Sequence, residues 1–115
     1  MSDVIDINDE AEFNNAISNG TSVIELWAPW CGPCKIQGPL YEQVASESFK
    51  SGIPVKFYKS NIEECSSIAS RFGIRSIPCL LLFKEGQEIG TLIGTQRKAA
   101  IVEAVTKALA GELSS

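Results

Sequence analysis

The sequence predicts an α/β protein, with a mixed central sheet covered by helices on both faces in the order βαβαβαββα. Three observations lead there. Residues 22–28 (SVIELWA) and 79–83 (CLLLF) are nearly continuous apolar runs, the pattern of strands buried on both faces. Helix-like stretches separate the early strands, which favours parallel crossovers. The stretch Lys84-Glu-Gly-Gln87 has room only for a tight turn, so the last two strands run antiparallel.

Taken in order, residues 4–7 (VIDI) alternate as a short first strand. Asn8 or Asp9 is placed to cap the helix that follows, with Phe13 and Ile17 on its buried side, and Asn19-Gly20 ends it. Residues 22–28 form the second strand, interrupted by Glu25. A long helix then runs to about Phe49. Pro39 lies inside it and should kink it, because proline lacks a backbone donor and clashes with the preceding turn; Gly52 closes the segment. Residues 54–59 are a third strand. Residues 63–72 read as a helix with Ile68, Ala69 and Phe72 buried, stopped by Gly73. The strand at 79–83 and its hairpin partner at 88–93 follow. Thr95 is placed to cap a last helix with Ile101, Val102, Val105, Ala108 and Leu109 on one face, ended by Gly111.

The chain has 115 residues, 44% of them hydrophobic and 21% charged, enough to build one core without disulfides or metals. A single domain over residues 1–115 is expected, with no internal repeat or linker. The net charge is −4 and no basic stripe is present, so nucleic acid is not an expected partner. The acidic start (Asp3, Asp6, Asp9, Glu10, Glu12) is a solvated face plus a helix N-terminus. No stretch has the length of a membrane span, and the first residues lack the basic and apolar regions of a signal peptide. A cytoplasmic protein with no membrane partner is the expectation.

The stretch Trp27-Ala-Pro-Trp-Cys-Gly-Pro-Cys-Lys35 carries the chemistry. Zinc fits it poorly: Cys65 and Cys79 form no second Cys-x-x-Cys pair, and the chain has no histidine. A purely structural disulfide also fits poorly, because so short a loop removes little entropy from the unfolded chain. A redox pair explains the placement. Cys31 at a helix N-terminus faces unsatisfied N–H groups and the positive end of the dipole, which favour thiolate without a histidine. Cys34 lies one turn on, close enough to resolve the mixed disulfide that Cys31 forms, leaving Cys31–Cys34 oxidised. Gly32 keeps backbone access open, and Pro33 fixes φ in the first turn.

With this motif, followed by Gly73-Ile-Arg-Ser-Ile-Pro78 before a buried strand and by Gly94 before the last helix, the sequence resembles the thioredoxin family along essentially its whole length. The resemblance implies the thioredoxin fold and a protein-disulfide reductase in cell redox homeostasis, an electron carrier with no bound cofactor or metal. Whether to term it an enzyme is left open. The resemblance also implies recharging by a thioredoxin reductase, fed by NADPH or ferredoxin, and disulfide-containing client proteins as partners of a monomer. Ile77–Pro78 would then be a cis bond beside the thiols, with Ile77 backbone groups pairing with an extended substrate strand. Trp30, Ile77, Pro78 and Gly94 would form a flat apolar patch for partners. On the residues alone, Pro78 also suits an ordinary trans turn.

Glu25 is the next candidate. A carboxylate in an apolar strand is costly unless paired, hydrogen-bonded or protonated. It reads either as a wetted edge position or as the proton acceptor for Cys34, its pKa raised by burial. By position it stands where the family usually has aspartate. Lys59 matches a lysine that neighbours this carboxylate in the family, and reads equally as an exposed lysine near a strand end. Cys65 suits a small semi-buried helix position or a regulatory thiol. Cys79, where the family usually has threonine, suits core filling or a sulfur that tunes the exchange. Two rival functions remain in view: an oxidase or isomerase of the same fold, and a binding module that uses only the patch. Gly-Pro between the cysteines argues against the first, and the intact thiols against the second.

Overall fold

A computed structural model describes residues 3–112. The elements are β1 (Val4–Asp6), α1 (Glu10–Ile17), β2 (Thr21–Trp27), α2 (Gly32–Lys50), β3 (Val55–Asn61), α3 (Ser67–Arg71), β4 (Cys79–Lys84), β5 (Gln87–Ile93) and α4 (Lys98–Ala110), the predicted order. They build one five-stranded sheet, β1-β3-β2-β4-β5. β1, β3 and β2 run parallel, while β4 is antiparallel to both β2 and β5.

The centre of the sheet is β2, buried along all but its last residue. Its side chains alternate between two cores. Val23 joins Tyr41 and Val44 of α2 and Ile101 and Val105 of α4 on one face. Ile24 and Leu26 join Phe13 of α1 and Ile68 of α3 on the other. Each buried aliphatic side chain of this size contributes about 1.5–3 kcal/mol. On the α1/α3 face, Phe13, Phe72 and Phe83 form an aromatic cluster with ring centroids 5.5–5.7 Å apart.

Local chemistry sets the boundaries. Asp9, one of the two candidate caps, closes α1 by accepting from the Glu12 N–H at 2.8 Å. Glu85 and Gly86 both adopt positive φ, 50° and 84°, as a two-residue hairpin of matching twist requires. Glu85 is held there by its N–H on the Gly20 carbonyl and by its carboxylate on the Gly20 N–H. Gly111, at φ 71°, ends α4 in the left-handed region.

Three expectations are corrected. The helix expected over 63–72 is only the five residues of α3. Asn61 explains the late start: its side chain accepts from the Glu63 N–H and its carbonyl from Glu64 and Cys65, making a turn where the helix was expected to begin. Ile68 is buried, whereas Ala69 and Phe72 are half-buried against the same core. Thr95 caps nothing. It is exposed, and α4 starts three residues later after Arg97 in an extended conformation. The inward face of α4 is Ile101, Ala104, Val105 and Ala108, at spacings of three and four; Val102 points away, 43% exposed, and Leu109 is half-buried.

Candidate functional site

β2 delivers the chain to the site. Its neighbours there are the end of parallel β3 and the beginning of antiparallel β4, where Cys79 pairs in register with Leu26. Cys31 follows as the N-cap of α2, with Pro33 in the first turn. Cys31 and Cys34 are joined in a disulfide, their Cα atoms 5.3 Å apart. The Cys34 N–H donates to Cys31 Sγ at 3.2 Å, so the helix terminus directs a donor at this sulfur. Both cysteines are buried, 4% and 6% exposed, in a small apolar cluster with Ala28. Gly32 and Pro33 are exposed, and a Cβ at Gly32 would meet no atom within 4 Å. Its glycine is therefore not a packing requirement.

The loop before β4 closes over the disulfide. Ile77–Pro78 is cis, and the Ile77 carbonyl oxygen lies 3.8 Å from Cys31 Sγ. The Gly94 N–H donates to the Pro78 carbonyl at 2.9 Å, and Gly94 has φ 87°, which favours glycine there. The Ile77 carbonyl thus faces Cys31, and Gly94 is tied to the same loop through Pro78. Pro78 is itself buried, so it adds little to the exposed part of the expected patch. The exposed apolar surface comes from Trp30, 64% exposed, and from Ile93, 57% exposed and the register partner of Cys79. Sequence reading did not name Ile93. It also missed Glu63, whose carboxylate accepts from the Trp30 indole N–H at 2.6 Å.

Glu25 is in the middle of the central strand and 3% exposed, which rules out the wetted-edge alternative. Burial raises its pKa from 4.5 to about 7, against the opposing pull of a hydrogen bond from Gln37 and of the Lys59 charge. Lys59 is its register partner on β3. The lysine's ion pair is with Glu42, at 3.8 Å, and its ammonium lies 5.6 Å from the Trp27 ring centre, so it acts on Glu25 as a neighbouring charge. A cavity of about 250 Å³ is lined by Glu25, Cys34, Pro39, Glu42 and Lys59 among others, placing the carboxylate and the second thiol on one space.

The residue that sequence reading missed most plainly is Gln37. It is fully buried, and its Nε2 donates to Glu25 Oε2 at 3.0 Å. The signal was present: Cys34, Gln37, Tyr41, Val44 and Ser48 follow one another at three- and four-residue spacing, so Gln37 is a polar residue on the inward stripe of α2. The other two cysteines are free and buried. Cys79 is 0% exposed, and desolvation pushes its thiol up to about 11, which fits core filling rather than exchange. No group of three or more potential metal ligands occurs among the described residues.

The family model described as Thioredoxin matches residues 4–107. A chloroplastic M-type thioredoxin of Chlamydomonas reinhardtii is 40% identical over 104 residues, covering 90% of this chain and 72% of that protein. A thioredoxin of Haemophilus influenzae is 37% identical over 109 residues, covering 93% and 98%. Among solved structures, a thioredoxin of Malassezia sympodialis aligns with a TM-score of 0.82 at 35% identity, covering 95% of this chain and 93% of the other.

Proposed function

The chain belongs to the thioredoxin family and exchanges dithiol for disulfide through Cys31 and Cys34, and from that premise we propose that it is a general reductant of protein disulfides recharged by a thioredoxin reductase. The observation that carries this reading is the placement of Cys31 Sγ. It has a backbone N–H at 3.2 Å and the carbonyl of a cis-proline loop at 3.8 Å.

The reaction runs in two displacements. The Cys31 thiolate, stabilised by the helix N-terminus, attacks one sulfur of a client disulfide. A Cys31–client disulfide forms, and the other client sulfur leaves as thiolate and takes a proton. Cys34 then gives its proton to the Glu25 carboxylate and attacks Cys31 Sγ, expelling the second client thiolate, which takes a proton from solvent while Glu25 releases its own to solvent. The client gains two electrons and two protons; the protein is left as the Cys31–Cys34 disulfide. Lys59 tunes Glu25 by its charge. Exposed Gly32 and Pro33 border the route by which a client reaches the buried sulfur. The exposed surface of Trp30, together with Ile77, Pro78 and Gly94, receives an extended client segment, which would pair with the Ile77 backbone.

The fold acts as one domain over residues 1–115 and as a monomer. No helix among the described residues is long and apolar enough to cross a membrane. The cytoplasm is the compartment proposed, and the chloroplastic relative makes the plastid its rival. Reduction of a model disulfide protein, driven by NADPH- and ferredoxin-linked reductases in turn, tests both catalysis and donor. Turnover with one of them is expected. No turnover with any, or undiminished function in a Cys31→Ser, Cys34→Ser variant, would overturn the reductase reading.

A further inference from the structure

Gln37 has two partners, and together they fix its orientation. The Gln96 backbone N–H lies 2.8 Å from one end of its amide, Glu25 Oε2 3.0 Å from the other. A backbone N–H can only donate, so the Gln37 carbonyl must face Gln96 and its NH2 must face the carboxylate. The Gln96 side chain in turn donates to the carbonyls of Ile93 and Gly94, at 3.3 Å each, and the Gly94 N–H reaches the Pro78 carbonyl. An unbroken run of hydrogen bonds therefore links the buried carboxylate to the loop beside Cys31. The same bonds hold Gln96 outside the last helix, where a helix start was expected.

We propose that Gln37 is a positioning residue for the exchange reaction: it holds Glu25 in one orientation and ties it to the loop bearing Gly94, so that the proton acceptor and the client-docking loop share one arrangement. This rests on the reading of Glu25 as proton acceptor for Cys34. With Oε2 held by Gln37, Oε1 is the oxygen left for the proton on the cavity that Cys34 also lines. The donated hydrogen bond favours ionised Glu25 and opposes the desolvation that keeps it protonated. The other charged or titratable groups near the carboxylate or on its cavity are Lys59 from β3, and Cys34, Lys35, Tyr41 and Glu42 from α2; from β4 its register partner is Leu80.

The test follows the Glu25 carboxyl carbon by NMR across pH in the reduced protein, and in parallel the rate at which a Cys31–client mixed disulfide resolves. Gln37→Met should raise the Glu25 midpoint by about one pH unit. The resolution profile should move with it and recover at high pH, where a merely structural defect would slow resolution equally at every pH. A folded variant with an unmoved midpoint would overturn the proposal. Should Gln37→Met fail to fold, the wild type still decides. There the Gln37 side-chain NH2 and Gln96 amide signals should shift with the Glu25 midpoint; signals that stay flat would refute the link. Glu25→Gln separates the two readings. Unaltered resolution in that variant would sink the proton-acceptor role and this proposal with it. Slowed resolution there, with an unmoved midpoint in Gln37→Met, would sink the role of Gln37 alone.

Discussion

The two faces of the sheet use the same strands for different ends. The face under α1 and α3 is filled with Phe13, Ile24, Leu26, Ile68, Leu81 and Phe83, with no charged side chain among its buried members. The face under α2 and α4 has an apolar core of similar size, yet it also holds Glu25, Gln37 and the Tyr41 hydroxyl, which sits 3.0 Å and 2.7 Å from the Val23 and Tyr58 carbonyls. One face holds the sheet together. The other does so while holding an ionisable carboxyl on the cavity that Cys34 also lines. A change on the first should alter stability alone, and a change on the second should alter the response to pH.

The largest expected effect lies on the apolar face. Phe13→Ala should cost about 3–5 kcal/mol in urea unfolding, since it removes a fully buried ring that packs on both Phe72 and Phe83. Under conditions where the variant is folded, the pH midpoint of mixed-disulfide resolution should stay where it is. A moved midpoint would show that the faces are not separable.

Next comes Glu25→Gln. Folded Glu25 has a pKa of about 7 against 4.5 for an ordinary glutamate, so between these pH values the folded chain keeps a proton that the unfolded chain has lost. Wild-type stability should therefore fall as pH rises through this window and remain lower above it. The variant lacks this slope. It should match the wild type near pH 4 and exceed it at pH 8 by up to about 3 kcal/mol. Parallel stability curves from pH 4 to 8 would show that the carboxylate is not costly where it sits.

Asp9→Ala removes the cap of α1 and should cost about 1 kcal/mol without touching the exchange kinetics. The smallest effect is assigned to Lys59→Met. Losing the nearby cation should lift the Glu25 midpoint by a few tenths of a pH unit, as expected of a partly exposed charge. A shift as large as that of Gln37→Met would mean that charge rather than hydrogen bonding tunes the carboxylate.

The order of elements was legible because apolar runs, glycine stops and a two-residue turn are local signals. The thiol pair and Glu25 were legible for a similar reason: each breaks a local pattern. What escaped depends on partners distant in sequence. Gln96 is held by Gln37, 59 residues earlier, and this places residues 95–97 outside the last helix although Thr95 has the chemistry of a cap. Asn61 shortens α3 by capturing N–H groups that the periodic pattern had assigned to a helix. Val102 was grouped with its apolar neighbour Ile101, but consecutive helical positions point about 100° apart. Lys59 does neighbour Glu25, its register partner, but its ion pair with Glu42 depends on how α2 lies across β3.

The central strand runs straight into the helix that carries both sulfurs, whereas the cis-prolyl loop arrives much later in the chain, ahead of its antiparallel neighbour β4. Severing the backbone between β3 and β4 would leave both sulfurs on the amino-terminal piece and the cis-prolyl platform on the carboxy-terminal piece. Neither fragment would carry electrons unaided, and recovered turnover on mixing them would report that the two had reassembled.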